Sequence, residues 1–451
     1  MRLVVIGGSD AGISAALRAR ELDPASNVRL IVADSFPNFS ICGIPFYLSG
    51  EVSDWRSLAH RTRHELEAAG VELYLQQRAV EIDTPRRCVR VQSGAGVDHV
   101  PYDRLVIATG AEPVRPPIPG IELPNVFVLH TMDECLALHQ RLQEAASSAV
   151  IVGAGYIGLE MADALRHRGM AVTLIDQLPA VMRTVDRSIA VRVESLLRKH
   201  GVVVRTGTAV RSIARAGSGG MRVRCTDDYA AHGAIVLVAV GVRPQSDLAR
   251  SCGVATNERG AIIVDREMRT NVPDVFAAGD CVVTWHRLLH RDLYLPLGTT
   301  SHKQGRVAGE NAVGGDRVFA GSLGTQSVKI FDRVVAATGL REEDASLYGF
   351  TPLAVEVTTY DHKVYYPGAT EMTVRLVGDM RTGGLLGGQM IGHYGREVSK
   401  RIDTLATALH HRMSVDDLNE LDLSYTPPLS SPWDPVQVAA QAWATAHKER
   451  Q

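Results

Sequence analysis

Two apolar runs, each closed by a glycine turn and followed by a helical stretch, constrain this chain more than any other feature. The first runs Leu3-Val4-Val5-Ile6, then Gly7-Gly8-Ser9-Asp10-Ala11-Gly12, then a helix with Ile13, Ala16 and Leu17. The second runs Ala149-Val150-Ile151-Val152, then Gly153-Ala154-Gly155-Tyr156-Ile157-Gly158, then a helix over 159–167. Each is followed by another apolar strand that ends at an acid: 28–32 before Asp34, and 171–175 before Asp176. In such a βαβ unit the first glycine permits the bend, the second admits a pyrophosphate, and the third lets helix pack on strand. The helix N-terminus offers N–H groups and a positive dipole to the phosphates. The acid accepts ribose hydroxyls. Gly153, Gly155, Gly158 and Asp176 meet every requirement, and Gly7, Ser9, Gly12 and Asp34 depart only in the serine. Two dinucleotide sites on one α/β chain are the expectation. A carboxylate at Asp176 favours the free 2′-hydroxyl of NADH, and Gln177 and Leu178 follow it without an arginine. Arg183 is close enough in sequence to fold back, which keeps NADPH open.

The rest of the chain is organised around those units. The segment Leu105-Val106-Ile107-Ala108-Thr109-Gly110 precedes prolines from Pro113 to Pro119, which read as a connection between domains. A strand over 235–238, then Gly241 and Pro244, brings the chain back to the first domain, where Ala277-Ala278-Gly279-Asp280 follows. Beyond about residue 320 the texture changes to strand-like runs at 327–331 and 373–377 and a helix over 396–410. The expected boundaries are 1–112 and 245–320 for the first dinucleotide domain, 113–244 for the second, and 321–451 for a third. A net charge of -2 gives no reason to expect nucleic acid. No apolar run has the length of a membrane span, and a strand pattern from Arg2 leaves no room for a signal peptide, so a cytoplasmic enzyme is expected. Six widely spaced cysteines, with no CxxC, fit a reducing compartment and suggest no metal.

Read in order, these marks resemble the flavoprotein disulfide reductases. Within them the chain is similar to the single-cysteine branch of coenzyme A disulfide reductase, NADH oxidase, NADH peroxidase and persulfide reductase. Further marks are Asn38-Phe39-Ser40-Ile41-Cys42-Gly43-Ile44-Pro45, Pro296-Leu297, Lys303-Gln304-Gly305-Arg306, Tyr365-Tyr366-Pro367-Gly368 and Tyr425-Thr426-Pro427-Pro428. The resemblance implies two Rossmann-like domains and an α+β dimerisation domain. It implies FAD on the first unit, with Gly7, Ser9, Gly12, Asp34, Ala108, Thr109, Gly110, Gly279, Asp280 and Leu297 around it. It implies NAD(P)H on the second, at Gly153, Gly155, Gly158, Asp176 and Gly241, with Tyr156 gating the nicotinamide pocket and Glu160 nearby. Arg18 and Asn38 are implied as substrate contacts. Tyr365 and Tyr425 are implied to reach into the other subunit's active site in a homodimer.

Cys42 is the expected redox centre. The fourth and fifth residues beyond it are Phe46 and Tyr47, so it lacks the second thiol of a CxxxxC pair. It must bond transiently to a small-molecule thiol, a persulfide sulfur, or an oxygen as sulfenic acid. A helix opening at Cys42 predicts a lowered thiol pKa. The expected reaction is reduction of a small disulfide, persulfide or polysulfide by NADH. Oxidase and peroxidase relatives resemble one another in carrying a histidine in the first turn, where this chain has Asp10. The alternatives are that oxidase or peroxidase chemistry, and an electron-transfer flavoprotein in which Cys42 is idle. Coenzyme A disulfide is disfavoured by Glu21 beside Arg18 and Arg20, and by Trp433 where the resemblance implies a lysine.

Overall fold

The computed structural model describes residues 1–144, 147–217 and 219–450. Two five-stranded parallel sheets carry the two glycine turns. In the first, the order is Val275–Ala277, Arg104–Ile107, Arg2–Ile6, Asn27–Ile31, Val71–Tyr74. In the second it is Val202–Thr206, Ala171–Asp176, Ser148–Val152, Ile235–Val238, Val126–Phe127. In both, the strand before the glycine turn pairs with the strand before the acid on one side and a later crossover strand on the other. Their apolar runs are continuous because both faces are covered: Leu3, Val4 and Val5, like Val150 and Ile151, have no exposed surface.

The repetition extends to the accessory sheets. Arg78–Asp83, Cys88–Ser93 and Gly96–Pro101 form an antiparallel sheet beside the first unit, and Val210–Arg215, Met221–Cys225 and Ala230–Gly233 form one beside the second. The chain leaves the first domain through Ala111–Pro113 and returns through Val242–Pro244, and these two strands pair antiparallel. The proline connection is therefore a two-stranded ribbon that joins the dinucleotide domains.

The C-terminal part is an antiparallel sheet in the order Gln326–Ile330, Arg333–Gly339, Leu385–His393, Glu371–Asp379, Pro352–Tyr360, with helices Val398–His410 and Pro435–Lys448 packed on it. Trp443 anchors the last helix. It is 1% exposed, its Nε1 donates to the Leu353 carbonyl at 2.8 Å, and its indole fills space that a Cβ on Gly378 would enter. Among the described residues no helix is long and apolar enough to cross a membrane.

Candidate active site

The first glycine turn is fixed by backbone contact. Gly7 has φ +116°, and a Cβ on it would lie 2.0 Å from the Ala108 carbonyl oxygen. A Cβ on Gly12 would lie 1.9 Å from the Gly7 carbonyl oxygen. Strand, turn and helix Asp10–Leu22 thus close to the limit that glycine allows, with the helix N-terminus over the strand end. Ser9 is the N-cap, exposed and capping nothing, so the serine occupies no space the packing needs. The Asp34 carboxylate is exposed yet raised in pKa, first by burial and then by Asp133, as befits the wall of a concave groove.

The same groove takes Thr109 and Gly110, tied to Gln245, and Leu297, which caps helix Gly298–Ala312. It also takes Gly279, whose N–H donates to Gln304 Oε1 at 3.0 Å, and Asp280, which accepts from Ser301 Oγ at 2.8 Å. Asn38 supplies a fit test. It is 3% exposed, its φ is +62°, and its Nδ2 has no hydrogen-bond partner. A buried amide donor left unmade costs about 1–3 kcal/mol. Its backbone N–H donates to the Gly8 carbonyl at 2.8 Å, which places this spare donor between the first turn and Cys42. Glycine cradle, spare donor and open carboxylate fit FAD, which when bound supplies a two-electron relay between nicotinamide and sulfur.

The second turn repeats the first. Cβ atoms on Gly153 and Gly158 would lie 2.2 Å and 2.0 Å from the carbonyl oxygens of Ala239 and Gly153. A Cβ on Gly155 would meet nothing within 4 Å, which is the open side a pyrophosphate needs. Asp176 accepts from Ala154 N at 2.6 Å and Leu178 N at 2.8 Å, so its carboxylate is held against the turn. Gly241, with φ +109°, accepts from Val114 N at the interdomain ribbon. Tyr156 OH accepts from Thr184 Oγ at 2.7 Å, which fixes the ring at the start of helix Tyr156–His167.

Cys42 lies in a 3₁₀ turn, Ile41–Gly43, that runs into the short helix Ile44–Ser49. It is the exposed thiol among six free cysteines; Cys135, Cys225 and Cys281 are buried, and Cys88 and Cys252 are intermediate. The expected lowering of its pKa is not found. Burial in the concavity pushes the thiol up, and Glu160, Asp10 and Asp280 push it further. The residue keeps an open side, yet the walls around its sulfur strip most of the water from it, and this loss of solvation, with three carboxylates added, outweighs the amides of one short turn. Glu160 is itself raised to about 7, by burial first and then by Asp163, and is opposed by Lys329.

Lys329 joins all three parts of the molecule. Its Nζ lies 3.1 Å from Asp163 on the nucleotide helix and 3.2 Å from Glu51 just past the Cys42 helix, over the Phe46 ring. Sequence reasoning missed Lys329 because it is an ordinary strand lysine until the domains meet.

These shifts give a signed prediction. Below pH 7 Glu160 is protonated and silent towards Cys42; above it the carboxylate charge opposes thiolate formation. In pre-reduced protein, Glu160→Gln is expected to speed Cys42 alkylation a few-fold at pH 8.5 and to match wild type at pH 6, read by mass spectrometry of the modified peptide. Equal rates at both values would refute this coupling.

Arg18, an expected substrate contact, is already ion-paired within its own chain. Arg18 is taken up by Glu310, at 2.7 and 2.9 Å, and by Glu21 at 2.9 Å. Arg20 is spent on the carbonyls of Ala69, Pro24 and Ser26. Tyr365 and Tyr425 are hydrogen-bonded to each other and are 74% and 43% exposed, and Val364, Leu429 and Trp433 are exposed as well.

Fold and site together define an oxidoreductase that holds two dinucleotides on one chain with a lone thiol between them. Residues 1–312 match the family model for pyridine nucleotide-disulphide oxidoreductase, and residues 325–435 match that family's dimerisation domain. The chain belongs to the pyridine nucleotide-disulphide oxidoreductase family, with FAD and NAD(P)H as its cofactors. It is 33% identical to the NAD(P)H coenzyme A polysulfide/persulfide reductase of Pyrococcus horikoshii over 98% of both chains. It is 29% identical to an NADH oxidase of Enterococcus faecalis over 98% of this chain and 99% of that one. It superposes on the NAD-dependent persulfide reductase from A. fulgidus with a TM-score of 0.96 and 36% identity, covering 100% of this chain and 84% of that one.

Proposed function

We propose that the protein is an NADH-dependent reductase of small disulfides, persulfides or polysulfides that works through Cys42. The observation that carries this reading is the placement of Cys42: an exposed thiol where the FAD groove meets Glu160 of the nucleotide helix. The Cys42 thiolate attacks the acceptor's S–S bond, forms a mixed disulfide and expels one thiolate. Two electrons from NADH then break the mixed disulfide, so the balance is NADH + H⁺ + RSSR′ → NAD⁺ + RSH + R′SH. The protein acts as a homodimer, and the partner subunit's Tyr365 and Tyr425 hydrogen-bond the departing sulfur. Their exposure and mutual hydrogen bond favour a role outside their own chain. Asp176, held at the turn with no arginine beside it, favours NADH over NADPH.

Coenzyme A disulfide carries several phosphates, and two of the cations that could meet them on this rim are already ion-paired. Glu310 and Glu21 saturate Arg18, and Glu21 also lies 3.6 Å from Arg306. A small acceptor loses nothing from this arrangement.

The test is anaerobic NADH oxidation with polysulfide, a small dialkyl disulfide and coenzyme A disulfide, for wild type beside Glu21→Ala. Wild type is expected to prefer the small acceptors. Glu21→Ala is expected to lower KM for coenzyme A disulfide roughly tenfold, as a freed charged hydrogen bond allows, and to leave small-acceptor kinetics alone. Turnover restored only by oxygen would overturn the proposal in favour of an oxidase.

A further inference from the structure

Gly305 and Gly309 let helix Gly298–Ala312 lie against the first helix at backbone contact. Cβ atoms there would fall 2.2 Å and 2.1 Å from the carbonyl oxygens of Ala11 and Ala15. About one turn before Gly305 stands His302, and the close packing brings its ring to two groups on the first helix. Nδ1 lies 2.9 Å from Ser14 Oγ, and Nε2 lies 3.3 Å from Asp10 Oδ1. Both ring nitrogens are therefore held, which fixes the plane of the imidazole.

The surroundings tie this ring to the segments that flank Cys42. The His60 ring meets it edge-on at 6.2 Å, and His60 N donates to the carbonyl of Asn38, four residues before Cys42. Ser301, the neighbour of His302, donates to Asp280. Asp10 and Asp280 are both near enough to act on the charge of Cys42. The other charged groups on the two packed helices are Lys303, Arg306, Arg20, Glu21 and the Arg18–Glu310 pair further along. The His302 side chain is 45% exposed, open to solvent and to a bound acceptor.

We propose that His302, oriented by Asp10 and Ser14, is the general acid that protonates the thiolate expelled when Cys42 attacks a disulfide. The inference rests on the Cys42 mechanism and deepens it. Cys42 sulfur bonds to one acceptor sulfur as the S–S bond breaks, and the bonding pair leaves on the second sulfur. Nε2 gives up its contact to Asp10, the longer of the two, and its proton passes to that sulfur. The ring is reprotonated by solvent, which supplies the H⁺ of the overall reaction.

A general acid matters in proportion to the basicity of the leaving group. His302→Gln is expected to lower kcat about 100-fold with a dialkyl disulfide, and less than about threefold with a nitroaryl disulfide, whose thiolate leaves unaided. Asp10→Asn, which keeps the ring, is expected to show the same bias more weakly. Flavin bleaching by NADH in a single turnover and the thermal midpoint are expected to match wild type. Equal losses with both disulfides, or none with either, would overturn the proposal and leave His302 a helix-packing residue. Cys42→Ser is run alongside: turnover surviving there removes the Cys42 mechanism and this inference with it. Turnover lost there without leaving-group bias in His302→Gln removes this inference alone.

Discussion

Cys42→Ser will still accept electrons from NADH, yet its steady-state turnover with every sulfur acceptor will fall by at least about 1000-fold. Serine keeps the size and position of the side chain, so both glycine turns, the Asn38 donor and Asp176 are untouched. What disappears is the sulfur. A hydroxyl is scarcely ionised at neutral pH and forms no S–S bond, so neither attack nor mixed disulfide remains. Stopped-flow bleaching of the flavin by NADH separates the halves, because that step needs no thiol. The expected pair of results is unchanged bleaching and absent turnover. If turnover survives, electrons leave the flavin without Cys42, and the electron-transfer reading takes over. If bleaching also fails, serine has disturbed the groove, and Cys42→Ala repeats the test without a polar side chain.

The two dinucleotide sites were legible in the sequence because their constraints are local. Gly7 and Gly12, like Gly153 and Gly158, are required by contacts within one strand–turn–helix unit, and Asp34 and Asp176 follow at the spacing that unit sets. The octapeptide around Cys42 singled it out as the candidate thiol, and the structure leaves that residue exposed. What could not be read is what long-range packing decides. The ionisation of Cys42 depends first on its burial among packed segments and then on Glu160, Asp10 and Asp280 from three of them, and the local helix argument pointed the other way. Arg18 looked free for a phosphate until Glu310, 292 residues away, closed on it. His302 meets Ser14 across 288 residues, and the only trace of that contact in the sequence is the Gly305–Gly309 spacing against Ala11 and Ala15.

An active site shared between subunits, as proposed, predicts that two dead proteins will make a live one. Cys42→Ser keeps its tyrosines but has no thiol; the double variant Tyr365→Phe/Tyr425→Phe keeps its thiol but has no hydroxyl donors, and is expected to lose about 100-fold. In a mixed dimer, one site joins the two lesions and the other joins an intact Cys42 to the partner's intact tyrosines. Random reassortment makes half the dimers mixed, each with one whole site, so about a quarter of wild-type activity should return. The measurement is turnover after subunit exchange, with the two parents mixed without exchange as control. The geometry makes this a demanding test. Tyr365 and Tyr425 are exposed, as are Val364, Leu429 and Trp433, and exposed apolar side chains of this kind suit a surface that meets another chain. Within one chain the tyrosines would serve their own Cys42, and no mixture of these variants could recover activity. Recovery therefore requires the hydroxyls to cross the interface, whereas its absence after verified exchange would confine each active site to one subunit.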